Sequence, residues 1–390
     1  MPRRVSIFGA TGSVGQNTID LIRRDKESYD IIALTGGSNV DQLARDAREL
    51  GAALAVTAFE DRLQDLRAAL AGSGIEVAAG AAAVAEAAAR PADWVMSAIV
   101  GAAGLAPGLA ALRHGGTLAL ANKESLVTAG PLLIAEAASH GSTILPVDSE
   151  HSAVFQALAG EEFATVERII ITASGGALRD WPLEALEHAT VAEVSSHPNW
   201  DMGQRITIDS ASMFNKAMEL IETKEFFGIS PDKIEVLIHP ESLIHAMVGY
   251  CDGAIMAHVG PPDMRHAIGY ALHWPERRAL PVHRLDLAQI GTLSFRAPDE
   301  ARWPALRLAR DVMQTGGYAG AIFNAAKERS LDAFIAGDIG FNAMAAIVDE
   351  VLTQMSAETG LSSAQIDLDT LHQIDHLARI RAAEVMRRRA

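Results

Sequence analysis

The stretch that decides the fold is VSIFGATGSVG, residues 5–15, in which a short apolar strand runs into a glycine turn and the start of a helix. Its glycines follow the spacing G-x-x-G-x-x-G. Such glycines let the backbone approach a ligand closely, and the N-terminus of the following helix attracts a pyrophosphate. An ordinary glycine-rich turn could carry the same letters, but the preceding strand favours a dinucleotide site. The expected contacts to the dinucleotide come from Gly9, Thr11, Gly12, Ser13 and Val14.

Downstream of this turn, short apolar runs alternate with helical stretches as far as about residue 150. The alternation is typical of a doubly wound α/β sheet, which binds ligands at the carboxyl ends of its strands. An alanine-rich stretch at 78–89 suits a plain helix. We predict strands at Val5–Phe8, Ile31–Leu34, Leu54–Thr57, Trp94–Ala98, Thr117–Ala121 and Thr143–Pro146, and helices at Val40–Leu50 and Arg62–Ala71.

The second half of the chain has a different character. Strand-like runs at Glu167–Thr172, Arg205–Ile208, Ile234–His239 and Ala254–Val259 surround a helical run at Ser212–Phe227. Beyond Pro304 the apolar residues follow i, i+3, i+4 spacing, which indicates helices. The predicted fold class is α/β, with an N-terminal Rossmann-like doubly wound sheet, a mixed α/β catalytic domain and a C-terminal helical bundle. The predicted boundaries are 1–147, 148–275, a linker at 276–303, and 304–390.

Composition and charge exclude several classes of function. A chain of 390 residues is too long for one core, and 49% hydrophobic with 21% charged residues is typical of a globular enzyme. The formal net charge of −16 argues against nucleic acid or a membrane surface as partner, since both require a basic face. The single cysteine, Cys251, allows no intramolecular disulfide, and the first apolar run is too short for a signal peptide. We therefore expect a cytoplasmic protein.

One apolar segment requires a membrane check. Trp94–Leu112 holds no charged residue over 19 positions, which touches the lower limit for a spanning helix. Because the segment contains three glycines and a proline, a buried strand followed by a turn and a helix explains it better.

The end of the second predicted strand indicates which dinucleotide binds. NAD sites usually place an acidic residue there to hold the ribose 2′-hydroxyl. Here the turn reads Gly37-Ser38-Asn39, and the first acid is Asp41. Backbone and side-chain donors at this turn suit a 2′-phosphate, so the sequence favours NADP, although no Arg or Lys lies in the turn.

A pair of carboxylates follows the last predicted strand of the first domain. Asp148 and Glu150 are two residues apart, so an extended backbone would project both in the same direction. Two oxygen ligands at a strand end resemble half of a Mg²⁺ or Mn²⁺ site. Two acidic residues capping a turn would give the same fragment.

A second polar cluster lies on the helical run after residue 212. Asn215 and Glu219 are four residues apart and share one helix face, Ser212 lies a turn above them, and Lys216 neighbours that face. Amide and ammonium donors beside a carboxylate suit a phosphate and a metal bound side by side. A solvated helix face with an ordinary Lys–Glu pair is the simpler alternative.

Several blocks, taken together, resemble the 1-deoxy-D-xylulose 5-phosphate reductoisomerase family in order and spacing over most of the chain. They are GATGSVG (9–15), LANKESLV (120–127), PVDSEHSA (146–153), ASGG (173–176), HPNWDMG (197–203), IDSASMFNK (208–216), HPESLIH (239–245) and GPPDMR (260–265). Eight blocks are more specific than any single glycine motif. Arg205, Ser212 and Lys327 stand where the family often has lysine, threonine and asparagine, and Lys327 is expected to affect only local packing.

The resemblance implies roles for individual residues. Asp148, Glu150 and Glu219 would bind one Mg²⁺, Mn²⁺ or Co²⁺, with Lys123 and Ser149 against the substrate. Besides the turn residues Gly37, Ser38 and Asn39, NADPH would gain contacts from Asn122, Glu124 and Gly203. Residues 177–204 would form a mobile lid in which Trp200 closes over the substrate. The oxygens of the substrate, chiefly its phosphate, would be held by Ser174, His197, Ser210, Asn215 and Lys216.

The implied reaction converts 1-deoxy-D-xylulose 5-phosphate into 2-C-methyl-D-erythritol 4-phosphate, an isoprenoid precursor. A metal would stabilise alkoxide and enolate charge while a carbon–carbon bond breaks and reforms, and NADPH would then reduce the aldehyde. The lid would exclude water. A homodimer is implied by the resemblance alone.

Two other functions remain open at the level of sequence. An NADP-dependent semialdehyde dehydrogenase needs a nucleophilic cysteine, but Cys251 lies at a predicted turn. A non-catalytic NADP sensor would not need Asp148, Glu150 and Glu219 together. The histidines at 239, 245, 258, 266 and 273 match no common zinc spacing and are interpreted as core or polar-network residues.

Overall fold

The computed structural model describes residues 1–196, 199–200, 202–356 and 366–389. The chain forms two compact units. The first comprises Met1–Ser125, Leu133–Ser152 and Asp263–His283, and the second comprises Leu126–Leu132, Ala153–Pro262 and Arg284–Ala390. The three-domain boundaries expected from the sequence stay a prediction.

The first unit is built on a sheet of seven strands. They are β1 (Arg3–Phe8), β2 (Tyr29–Gly36), β3 (Leu54–Thr57), β4 (Glu76–Ala79), β5 (Trp94–Ser97), β6 (Thr117–Leu120) and β7 (Thr143–Pro146). Every neighbouring pair is parallel, and the spatial order is β4-β3-β2-β1-β5-β6-β7. The chain therefore builds outward from β1 first on one side and then on the other, so a topological switch point lies between β1 and β5.

Six helices connect these strands. They are α1 (Ser13–Arg23), α2 (Val40–Leu50), α3 (Leu63–Ala69), α4 (Ala81–Ala88), α5 (Leu105–Leu112) and α6 (Lys123–His140). The six strands and two helices predicted in this half are confirmed, each with bounds within a few residues. β4 was not predicted, because it occupies the start of the alanine-rich stretch that suggested only a helix; that helix, α4, begins two residues after β4 ends.

The second unit contains a four-stranded sheet. Its strands are β8 (Val166–Ala173), β9 (Ile234–Ile238), β10 (Ile244–Tyr250) and β11 (Ile255–Val259), in the order β11-β10-β8-β9. β8 pairs with β9 in parallel and with β10 antiparallel, so the sheet is mixed. β10 was not predicted; its seven residues are all buried, which leaves no alternation of polar and apolar positions to detect.

The remaining helices follow in chain order. They are α7 (Ser149–Ala157), α8 (Val191–Val194), α9 (Gln204–Ala211), α10 (Phe214–Phe227), α11 (Arg265–His273), α12 (Leu287–Ile290), α13 (Ala305–Thr315), α14 (Ala319–Ala336), α15 (Phe341–Ser356) and α16 (Leu368–Arg389). α11 belongs to the first unit and packs on α1. α13 packs on α10, and α14 packs on α15 and α16, so the C-terminal helices share the core of the second unit.

The predicted strand at Arg205–Ile208 was wrong, since these residues lie in α9. The isoleucines and the threonine of this run are residue types enriched in strands. Thr207, Ile208 and Ala211 are buried on one side of the helix while Arg205 and Ile206 are exposed, so packing at helical spacing overrides that preference. Among the described residues, no helix is both long and apolar enough to cross a membrane.

Candidate active site

The glycine turn lies at the switch point of the first sheet. Gly9 follows β1 with φ of 86°, a conformation that favours glycine. A Cβ on Gly9 would lie 2.6 Å from the carbonyl carbon of Ala98, just after β5. The amides of Gly9 and Ala10 donate to the carbonyl of Thr35 at 3.2 and 2.7 Å, which ties the turn to the end of β2. The turn is thus held between the two strands where a doubly wound sheet binds its ligand.

The start of α1 is shaped for an anion. A Cβ on Gly15 would lie 2.5 Å from the carbonyl oxygen of Ala10, so only glycine lets the helix begin this close to the turn. Gly12 caps the helix without a side chain, and both Gly12 and Ser13 are exposed. The first backbone N–H groups of α1 therefore face a site that a pyrophosphate would satisfy. Thr11 and Val14 are partly exposed in the same turn.

The end of β2 offers donors and no carboxylate. Thr57 Oγ1 donates to the carbonyl of Gly37 at 3.0 Å and fixes the turn. Asn39 caps α2, its Oδ1 accepting from the amide of Gln42 at 3.2 Å, which leaves the side-chain NH₂ as a donor. Ser38 and Asn39 are both exposed. This arrangement suits the 2′-phosphate of NADP better than a free 2′-hydroxyl.

Asn122 connects the ends of β6 and β5. Its side-chain nitrogen donates to the carbonyl of Ile99 at 2.7 Å and to Glu124 at 2.8 Å, and its oxygen accepts from the amide of Ser125 at 3.1 Å. The side chain is buried. Asn122 therefore holds the loop after β5 in place through hydrogen bonds. Glu124 is partly exposed in the first turn of α6.

Lys123 and Asp148 form a largely buried ion pair. Lys123 opens α6 three residues after the end of β6, and Asp148 lies two residues after the end of β7. Because β6 and β7 are parallel neighbours in which Leu120 pairs with Pro146, the residues after both strands meet at one edge of the sheet. The side chains of Lys123 and Asp148 are 10% and 15% exposed, so water screens the attraction between their charges only weakly.

The extended arrangement predicted for Asp148 and Glu150 was wrong. The amide of Ser149 donates to Asp148 Oδ1 at 3.1 Å, and α7 begins at Ser149, so Glu150 lies in the first turn of a helix. A carboxylate there interacts favourably with the helix dipole. Ser149 Oγ donates to Glu150 at 2.6 Å and orients that carboxylate.

In the second unit, Ser174 sits in a turn packed against the end of α9. Ser174 Oγ accepts from the amide of Gly176 at 3.1 Å. Gly176 has φ of 67°, and a Cβ there would lie 2.5 Å from the Cα of Ala211 and 2.9 Å from the carbonyl oxygen of Ser210. This close approach brings the turn that contains Ser174 against Ser210, the other serine predicted to bind the phosphate.

The junction between α9 and α10 places the remaining cluster. It passes through Met213, whose φ of 62° is left-handed, and α10 then starts with Phe214. Asn215 Nδ2 donates to Glu219 Oε1 at 2.6 Å, which confirms that the two share a face. Lys216 also bonds Glu219. Lys216 is 4% exposed and Glu219 is fully buried, so this face is not a solvated surface.

Trp200 packs on residues that follow β9. Its ring lies 6.0 Å from the ring of His245 at 63°, an edge-on contact. The neighbouring Asn199 donates to Ser242 Oγ at 2.9 Å. His197, which the resemblance places on the phosphate, lies outside the described residues, as does Asp201. Gly203 is exposed and caps α9.

The proposed lid segment is anchored at its beginning. Leu178, Leu186 and Val194 are buried in the core of the second unit. Thr190 forms a capping box with Glu193 at the start of α8. A lid built from 177–204 would thus have to move after Val194.

The structure gives specific contacts to two residues for which the sequence analysis assigned no catalytic or binding role. Lys327 on α14 pairs with Asp209 on α9 at 2.9 Å, and both are buried. The only signal was the unusual lysine itself. His239 is fully buried, with Nε2 accepting from the amide of Ile244 at 3.1 Å, in agreement with its interpretation as a polar-network residue.

A glycine turn at the switch point of an all-parallel sheet, with charged groups at the adjoining strand ends, defines a Rossmann-like dinucleotide-binding oxidoreductase. Comparison with known proteins is more specific. The family model for 1-deoxy-D-xylulose 5-phosphate reductoisomerase matches residues 5–130, and models for C-terminal domains of the same enzymes match residues 144–227 and 259–381. The chain belongs to the 1-deoxy-D-xylulose 5-phosphate reductoisomerase family, as the motif blocks indicated.

Individual relatives cover the whole chain. A curated 1-deoxy-D-xylulose 5-phosphate reductoisomerase from Ruegeria pomeroyi is 70% identical over 388 residues, 100% of this chain and 98% of the relative. One from a Jannaschia species is 71% identical over 377 residues, 97% of this chain and 96% of the relative. The solved reductoisomerase from Zymomonas mobilis in complex with NADPH has a TM-score of 0.93 at 47% identity, covering 99% of both chains. A reductoisomerase in complex with NADPH, fosmidomycin and magnesium has a TM-score of 0.92 at 38% identity, covering 99% of this chain and 98% of that one. The predicted fold class is confirmed.

Proposed function

We propose that the chain catalyses the isomerisation and NADPH-dependent reduction of 1-deoxy-D-xylulose 5-phosphate to 2-C-methyl-D-erythritol 4-phosphate, using one divalent cation. The observation that carries this is Glu219, a carboxylate without solvent exposure that is held between Asn215 and Lys216. An amide and an ammonium donor beside a buried carboxylate suit a phosphate and a divalent cation bound side by side. A dehydrogenase acting through a cysteine, or a sensor that only binds NADP, gives no reason for such a group.

NADPH is proposed at the switch point of the first sheet. The turn Gly9–Gly15 would take the pyrophosphate through backbone N–H groups at the start of α1. Ser38 and Asn39 would take the 2′-phosphate, since both are exposed and the turn between β2 and α2 carries no carboxylate. Asn122 would support this site through the loop after β5, and Glu124 and Gly203 would add contacts. The Zymomonas mobilis relative was solved with NADPH.

The proposed metal ligands are Asp148, Glu150 and Glu219. The donor set fits, because three carboxylates supply the hard oxygen ligands that Mg²⁺, Mn²⁺ and Co²⁺ accept. A bound cation would act as a Lewis acid on substrate oxygens. Ser149 would keep Glu150 oriented through its 2.6 Å hydrogen bond, and Asn215 would do the same for Glu219.

Lys123 is proposed as a catalytic residue beside these ligands. Its ammonium, which pairs with Asp148, can stabilise negative charge on a reacting oxygen. Ser149 would contact the same part of the substrate. The buried position of Lys123 makes its charge more effective than that of a surface lysine.

The phosphate is proposed to bind at the start of α10. Ser174 and Ser210 are brought together by the packing of Gly176, and Asn215 and Lys216 lie in the first turn of α10. A helix N-terminus with amide, hydroxyl and ammonium donors is suited to a phosphate. His197 is proposed as a further donor. Trp200, which already contacts His245, would cover the substrate when the lid closes.

The test is oxidation of NADPH by the purified chain with 1-deoxy-D-xylulose 5-phosphate. We expect turnover with Mg²⁺ or Mn²⁺, its loss with a chelator and its return when excess cation is added. Reactions lacking the sugar phosphate provide the control. Turnover that persists in chelator would remove the metal from the proposal, and no turnover under any condition would remove the function.

We also propose that the enzyme is a cytoplasmic homodimer. β11 lies at an edge of the second sheet, and its Ile255, Met256 and Val259 are 47%, 50% and 42% exposed. An edge strand with exposed apolar side chains is a ready surface for a second chain. The exposed thiol of Cys251 suits a reducing compartment.

A further inference from the structure

The second unit contains an ion pair that the proposed mechanism does not use. Lys327 Nζ donates to Asp209 Oδ2 at 2.9 Å, and the two residues are 4% and 7% exposed. They are separated by 118 residues in the chain and come from α14 and α9. Asp209 Oδ1 is buried and has no hydrogen-bond partner among the described residues. The ammonium of Lys327 therefore offsets much of the charge of the buried Asp209 carboxylate.

The pair adjoins the residues proposed to hold the phosphate. Asp209 directly precedes Ser210, and the turn with Ser174 packs on the same end of α9 through Gly176. A buried carboxylate this near to a phosphate would repel it strongly, since charges in the interior are poorly screened. Phosphate binding beside Asp209 thus requires that its charge be offset.

We propose that Lys327 is a positioning residue for the phosphorylated substrate, acting through Asp209 to set the electrostatics of the phosphate site. Its ammonium cancels the carboxylate charge and holds Asp209, so the last turn of α9 presents Ser210 to the phosphate. The inference rests on the proposed function for the location of the phosphate. It assigns to α14 a part in substrate binding, where the sequence alone suggested only packing.

The test is a pair of single variants whose effects have opposite signs. Lys327→Met keeps an unbranched side chain of nearly the same length but removes the charge that compensates Asp209. We expect it to raise both KM for 1-deoxy-D-xylulose 5-phosphate and the KI of inorganic phosphate about tenfold, with kcat changed less. Asp209→Asn removes the carboxylate charge and keeps that of the lysine, so it is expected to lower the KI of phosphate severalfold. A purely structural pair predicts that both variants weaken phosphate or that neither affects it, and either result overturns the proposal.

The double variant Lys327→Met with Asp209→Asn removes both charges and should return the KI to near the original value. It also covers the case in which Lys327→Met alone does not fold, because it buries no unpaired charge. The matched control is Arg379→Met, which removes an ion pair that α14 makes through the adjacent Glu328 at 2.6 Å. That variant should lower Tm and leave the KI unchanged.

Phosphate binding can be measured without turnover, by calorimetry with inorganic phosphate. If the unmodified chain oxidises no NADPH but the two single variants still shift phosphate affinity in opposite directions, the proposed function fails and the role of Lys327 stands. If turnover is normal and both variants bind phosphate like the unmodified chain, the role of Lys327 fails alone.

Discussion

Glu219 holds its charge where water does not reach it. Burial of an isolated carboxylate costs several kcal/mol even after relaxation, roughly as for other interior ions. Asn215 and Lys216, one turn earlier on α10, offset part of that cost through hydrogen bonds. The spacing of four residues was visible in the sequence, but the burial was not, because it depends on α13 and the sheet packing around α10. For a single residue, the sequence predicts which neighbours share its helix face but does not predict whether that face is buried.

Replacing Glu219 with glutamine tests the metal site. Glu219→Gln keeps the size and the hydrogen bond from Asn215 but removes one of three ligand charges. We expect turnover to fall at least about 100-fold at saturating Mg²⁺, comparable to loss of a major electrostatic contribution to a transition state. NADPH affinity, measured by fluorescence titration, should be unchanged. Normal turnover in this variant would take Glu219 out of the ligand set.

Ser38 is the residue at which cofactor choice can be tested. It is exposed in the turn after β2, where NAD sites carry an acid. Ser38→Asp should repel a 2′-phosphate, so kcat/KM for NADPH should fall about tenfold, or about 1.4 kcal/mol, while kcat/KM for NADH changes less. Ser73→Asp, in a different loop of the same unit, serves as the control for added charge. Equal use of both cofactors by the unmodified chain would contradict the assignment.

The turn after β8 shows how one element positions another. Its sequence, Ser174-Gly175-Gly176, predicts a tight turn, but only the structure shows that Gly176 touches the end of α9. The α-helical state of Arg205–Ile208 was missed for a related reason: four residues carry too little periodicity to separate strand from helix, and the core decides. By contrast β3 and α2 were predicted to the residue, because strong apolar patterns and a glycine at the end of α2 define them locally.

Gly176→Ala tests whether this contact builds the phosphate site. The new Cβ would meet the backbone of Ala211 at 2.5 Å, in a residue with φ of 67°. We expect KM for the sugar phosphate to rise and the free energy of unfolding to fall by roughly 1–3 kcal/mol. Gly228→Ala is the matched control, since Gly228 has φ of 64° but no atom within 4 Å of its Cβ position. Thermal unfolding should show a loss of stability from backbone strain in both variants. KM for the sugar phosphate should change in Gly176→Ala only.

The whole molecule joins charges that are far apart in the chain. Lys123 and Asp148 meet because β6 and β7 are neighbours, and that adjacency follows from the predicted order of a doubly wound sheet. Lys327 and Asp209 meet because α14 packs near α9, and no local sequence pattern predicts such a contact between helices. Strand ends in an α/β sheet can therefore be placed from sequence, whereas partners contributed by the C-terminal helices cannot.

Assembly is a property of the whole molecule, and the edge of the second sheet bears on it. Three apolar residues of β11 are exposed at the edge of the second sheet, where backbone groups on one side have no strand beside them among the described residues. Burying such side chains against a second copy is favourable by roughly 25 cal/mol per Å².

We predict a dimer in solution, with Met256→Lys shifting it toward monomer because a charge would be buried in the contact. Sedimentation velocity over a range of concentrations measures this. Phe59→Lys, at an apolar residue of the first unit with 51% exposure, should leave the dimer intact. A native chain that sediments as a monomer at every concentration, or a Met256→Lys variant that dimerises as strongly as the native chain, would show that β11 does not form the contact.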